Sequence, residues 1–150
     1  MKKFFYFLSF LLGLSLGVQA QDNPIQDPVE AVFVQEFING LDSGLVALNN
    51  EIMHYSVITL EGKDIICNIL VDESQLVGGM SLTQTFSLAG VTEKSLSDEL
   101  SEEIFSQDMT EKEKMGLQML YEYGYKLYFR MIGNKSGEKM NFRLDYESRL

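Results

Sequence analysis

Several residue types are scarce in this chain, and each scarcity excludes something. There is one Cys, one His, two Pro and no Trp in 150 residues. A single Cys cannot close a disulfide within the chain, and with a single His it cannot complete a Cys/His zinc site. Basic residues are also short: 12 Lys and Arg stand against 22 Asp and Glu, a net charge of −10. A nucleic-acid binder needs basic surface to displace counterions from phosphates, so that function class is excluded. No glycine-rich phosphate loop occurs, and no Gly-x-Ser-x-Gly elbow marks a serine hydrolase.

What is present begins with an address. Met1-Lys2-Lys3 is basic, Phe4 to Val18 is almost wholly apolar, and Val18-Gln19-Ala20 puts small residues before a cleavage point. This is the three-part plan of a secretory signal peptide, cut between Ala20 and Gln21. The apolar run is shorter than the roughly twenty residues a membrane-spanning helix needs. The short basic start has a bacterial look, so the expected destination is periplasmic or extracellular, with no membrane attachment after cleavage. Residues 21–27 read as a flexible N-terminus, and residues 28–150 as a single α+β domain. The mature chain would carry 10 basic and 22 acidic groups, net −12. The balance is uneven, at −15 over residues 21–111 and +3 over residues 112–150.

The mature sequence alternates between helical and strand periods. Asp27-Pro28-Val29-Glu30 has the form of a helix start, with Glu30 closing a capping box. Val29, Val32, Phe33, Phe37 and Leu41 then recur at helical spacing, with stops expected at Asn39-Gly40 and Ser43-Gly44. Ile52–Leu60 and Ile65–Val71 flank Glu61-Gly62-Lys63-Asp64 and predict a β-hairpin over about 52–71. Its spacing puts Ile58 and Leu60 on one face with Cys67, and Tyr55, Val57 and Thr59 on the other. Residues 72–90 fit a loop or a short helix equally well.

Thr92 predicts a helix whose buried stripe is Leu96, Leu100 and Ile104. Thr110-Glu111-Lys112-Glu113 is a capping box that opens another helix, with Met115, Met119, Leu120 and Tyr123 inward. A second hairpin is expected over about 125–149. Its apolar positions are odd before the turn and even after it, which demands an even loop, Asn134-Lys135-Ser136-Gly137. The predicted pairs are Tyr125–Tyr146, Leu127–Leu144, Phe129–Phe142 and Met131–Met140. On the opposite face, Lys126 meets Asp145, Tyr128 meets Arg143, and Arg130 meets Asn141. The expected fold is α+β: an antiparallel four-stranded sheet built from both hairpins, with about three helices packed on one face.

Two constellations could carry function. Lys126, Tyr128, Arg130 and Arg143 share the polar face of the second hairpin and form a local positive island in an acidic protein. Tyr128 beside Arg143 suits a cation–π contact. Such a face would take a protein partner or a small anionic or glycan ligand. Cys67 and His54 are the other pair, a nucleophile and an imidazole on one predicted face of the first hairpin. Their diagonal separation of about 7–8 Å is too long for proton transfer, so Cys67 reads as a core residue. The acidic run from Asp98 to Glu113 lacks the spacing of a calcium loop and reads as a solvated helix face. The functional expectation is therefore an exported, non-catalytic binding or interaction module, with no cofactor and no metal. The alternatives are a structural or homo-oligomeric envelope protein, whose basic island meets the acidic helices of another copy, and a small cysteine-dependent envelope enzyme.

Overall fold

The computed structural model describes residues 27–46, 49–105 and 109–150. The predicted signal segment, its Ala20–Gln21 cut and residues 21–26 lie outside the described residues. Helix α1 (Pro28–Val46) opens the fold. Asp27 Oδ1 accepts from the N–H groups of Val29 and Glu30 at 2.8 and 3.2 Å. Glu30 does not close the capping box; its Oε1 instead accepts from Lys63 Nζ and the Tyr125 hydroxyl, with the side chain only 12% exposed. The helix passes both predicted stops. Gly40 is buried inside it, between Phe37 and Leu41 in sequence, which are 3% and 1% exposed. A mid-helix glycine costs about 1 kcal/mol, less than burying Leu41 and Leu45 returns. Val29 and Val32, expected inward, are exposed, and Val34 is buried in their stead.

Strands β1 (Met53–Glu61) and β2 (Asp64–Val71) form the first hairpin around Gly62 and Lys63. Gly62 turns the chain with a φ of 62°. A bulge interrupts this pairing. Ile58 lies opposite Cys67 as the spacing requires, yet Tyr55 lies opposite Ile69, so Ser56 and Val57 together face Asn68. The extra residue reverses the parity of the first part of β1. Met53 and Tyr55 therefore pack against the core, while His54 moves to the other face opposite Leu70. Asn68 is 6% exposed, and its Nδ2 donates to the Val57 carbonyl and to Thr59 Oγ1 at 2.9 and 3.0 Å.

Residues 72–90 are ordered into two 3-10 turns (Glu73–Gln75 and Val77–Gly79) and a short helix, α2 (Leu82–Leu88). Helices α3 (Glu93–Phe105) and α4 (Glu111–Glu122) follow. The Thr110–Glu113 capping box forms as predicted, with bonds of 2.6 and 3.2 Å. In α4, Leu117 and Leu120 are fully buried, whereas Met115 is 61% exposed. In α3, Leu96 and Leu100 pack against the core, while the Ile104 side chain lies outside the described residues. The described residues thus hold four α-helices, one more than the sequence suggested.

The second hairpin, β3 (Lys126–Gly133) and β4 (Lys139–Leu144), has the predicted register. Leu127 faces Leu144, Phe129 faces Phe142, and Met131 faces Met140 across the four-residue turn. The strand ends at Leu144, short of the expected 149, and residues Glu147–Arg149 form a 3-10 turn. Beyond the ladder, the Tyr146 hydroxyl donates to the Tyr125 carbonyl.

The two hairpins join differently from expectation. The sheet order is β1-β2-β3-β4, but β2 and β3 run parallel, so the sheet is mixed. A parallel neighbour needs a crossover of a dozen residues or more, commonly helical, and residues 72–125 with α2, α3 and α4 supply it. The helices and the inner face of the sheet share one apolar cluster, including Val34, Leu41, Ile65, Leu82, Leu117, Leu120, Phe142 and Tyr146.

Parallel pairing brings the end of β2 beside the β3–β4 turn. There Glu73, 1% exposed, accepts from Leu82 N, Lys135 N, Ser136 N and Ser136 Oγ at 2.6–2.9 Å. The Ser136 N–H leads in lowering its carboxyl to about 2, against desolvation. A nearby carboxylate, Glu138, accepts from Thr83 N and Thr83 Oγ1 at 3.0 and 2.7 Å. Negative charge at a helix N-terminus is favoured, and these two carboxylates tie the start of α2 to the second hairpin.

Candidate functional site

The outer face of β3 and β4 carries the four predicted residues, but the structure separates them into two groups. Lys126 is exposed at the start of β3, opposite Asp64 of β2. Arg130 crosses β2 to reach Glu61 on β1, with Nη1 and Nη2 donating at 2.9 and 3.3 Å. Its Nε donates to Asn141 Oδ1 at 2.8 Å. The Arg130 hydrogen bond holds the Glu61 carboxyl below the usual range. Arg130 is thus occupied in bracing the outer face, and neither it nor Lys126 lines a cavity described below.

Tyr128 and Arg143 stand opposite each other and line one open depression of about 580 Å³. Asn141, Asp145 and Glu147 join them from the second hairpin and the residues after it, and Glu93, Lys94, Ser97 and Asp98 form the wall from the first half of α3. Arg143 Nη2 pairs with Glu147 at 2.8 Å, and Lys94 pairs with Asp98 at 2.5 Å. Both cations of the depression therefore carry a carboxylate partner. Glu93 and Asp145 are further carboxylates on its rim. The Asp145 carboxyl lies below its ordinary value: desolvation raises it, but hydrogen bonds from Ser148 outweigh that. The depression is mixed in charge with an acidic surplus, a correction to the positive island expected from sequence.

Sequence reasoning found Tyr128 and Arg143 because strand register places them together. It missed the wall. Glu93, Lys94, Ser97 and Asp98 were legible as the polar side of a helix, but nothing local told which sheet edge that helix flanks. Ser101 settles it in the structure: its hydroxyl accepts from Asp145 N at 2.9 Å, which sets α3 beside the end of β4. The cation–π contact lies elsewhere, with Lys63 Nζ 4.4 Å from the Tyr125 ring centroid.

The Cys67–His54 pair does not assemble. The bulge in β1 sends His54 to the outer face, where it is exposed, while Cys67 is 2% exposed in the core. Burial, then the charge of Asp42, pushes the Cys67 thiol up to about 12. A thiol of that acidity is not a nucleophile near neutral pH.

Outside the four predicted residues, Arg149 Nη2 donates to Glu102 of α3 at 2.9 Å within the chain. Among the described residues, no group of three His, Cys, Asp or Glu is placed to hold a metal ion. Among the same residues, no helix is long and apolar enough to cross a membrane.

No protein-family model matches the chain, and no curated protein matches it. A solved structure from Pseudomonas aeruginosa, provisionally described as a secreted protein, is similar at 15% identity with a TM-score of 0.44. That likeness covers 100% of this chain and 98% of the other.

Proposed function

We propose that this chain is a small exported module without a catalytic role, and that it binds a partner or ligand in the depression between β4 and α3. Export rests on residues 1–20, which have the basic start, apolar centre and small-residue cut of a signal peptide. Binding rests on one observation: Tyr128 and Arg143 line the same open depression of about 580 Å³. That volume lies within the range of small-molecule sites. An aromatic face, an amide, a guanidinium and several carboxylates supply stacking and hydrogen bonding to a polar ligand, such as a glycan or a protein segment.

The test is crosslinking in cells of the mature protein, with mass spectrometry of what is captured. Tyr128→Ala combined with Arg143→Glu should keep the wild-type circular dichroism spectrum and lose the captured species. Lys126→Glu, outside the depression, should retain it. Equal recovery from the wild type and the double variant would overturn the reading.

A further inference from the structure

The inner face of the sheet is closed unevenly. Ile65, Cys67, Leu127, Phe142 and Leu144 are all at most 2% exposed, whereas Met53, Tyr55, Ile69 and Met131 are only partly buried. Between these and Leu45 and Leu100 lies an apolar cavity of about 90 Å³. The β1 bulge contributes to it, because without the extra residue Tyr55 and Met53 would point to the outer face. Bulges recur where a side chain must be re-aimed beside a site.

We propose that this cavity binds a short aliphatic chain whose polar end is neutral or cationic. The lining is apolar, and two of its walls are methionines, whose flexible thioethers adapt to a guest. Size sets the length: a 150 Å³ apolar cavity takes benzene, so 90 Å³ takes on the order of four carbons. Charge sets the head group. The Tyr55 hydroxyl donates to the carboxylate of Asp42, an exposed residue of α1. Asp42 is not itself in the lining, but its carboxylate is held against the Tyr55 wall, so a hydroxyl or ammonium end is favoured there over a like-charged carboxylate. The site is separate from the depression proposed above and stands or falls without it.

The test is titration of the folded protein with 1-butanol, butylammonium and butyrate, followed by the methyl NMR signals of Met53 and Met131. Butanol and butylammonium should shift both methyls saturably, and butyrate should bind at least several-fold more weakly. Asp42→Asn should bring butyrate to within twofold of butanol. Ile69→Phe fills the cavity and should abolish the shifts. Should that variant not fold, Leu100→Ala enlarges the cavity and should move the preference from butanol to hexanol. Shifts that never saturate, or that spread over surface methyls, would overturn the proposal. So would a preference for butyrate.

Discussion

Gly133 and Glu73 form one unit at the residue scale. A Cβ on Gly133 would lie 2.5 Å from the Glu73 side chain, so the strand can carry only hydrogen at that point. Gly133→Ala should destabilise the protein by about 1–3 kcal/mol, as overpacking does, measured by urea unfolding. Glu73 itself sets an acid dependence. Its carboxyl falls from an ordinary 4.5 to about 2 in the folded protein. Its stabilisation is therefore complete above about pH 4.5 and is lost as pH falls towards 2. Glu73→Gln should unfold at lower urea at neutral pH and lose less further stability between pH 4.5 and 2. Parallel curves for the two proteins would remove Glu73 from the explanation. Cys67 gives a third residue-scale outcome. Its thiol should react with a disulfide reagent only on unfolding, at a rate that tracks urea concentration; immediate labelling of the folded protein would contradict its burial.

At the scale of elements, alternation and turn chemistry carried the second hairpin. Its odd and even apolar positions admitted one loop parity, and three of the four predicted inner pairs formed in the ladder, which stops at Leu127–Leu144 short of Lys126–Asp145 and Tyr125–Tyr146. The same reasoning misplaced His54 and Tyr55, because a bulge changes the count and leaves no mark on alternation. Asn68 is the residue that makes the bulge tolerable, since it supplies a donor to the Val57 carbonyl. Asn68→Leu should cost about 1–3 kcal/mol, the range for a buried polar group left unpaired, and should increase amide exchange at residues 56–58 first. Helix α1 shows a different limit. Gly40 and Gly44 look like stops, yet tertiary burial of Phe37, Leu41 and Leu45 carries the helix through them. Propensity is a weak prior beside packing of that size.

For the whole molecule, the fold class was legible and the meeting of the hairpins was not. Each hairpin records its own register in adjacent residues. Whether β2 and β3 run together or oppose is decided by the path of residues 72–125, whose first helix falls in a stretch without clear periodicity. The site divides along the same line. Tyr128 beside Arg143 was readable from register, whereas the wall of α3 was not, because helix placement depends on that long path. The charge sum behaves similarly. The C-terminal segment is basic in composition, but Arg130, Arg143 and Arg149 each have a carboxylate partner, so their surface field is largely neutralised in place.

The parallel seam also makes the molecule its own ruler. In an all-antiparallel meander the two hairpin tips would lie at the same end of the sheet, about 10 Å apart across two strand spacings. With β2 and β3 parallel, eight-residue strands place the tips at opposite ends, about 25–30 Å apart at ~3.3 Å per residue. Spin labels on Lys63→Cys and Lys135→Cys would report that span by dipolar spectroscopy, and the buried Cys67 would stay unlabelled. A single pair distance thus separates two topologies that share every strand and every hairpin register.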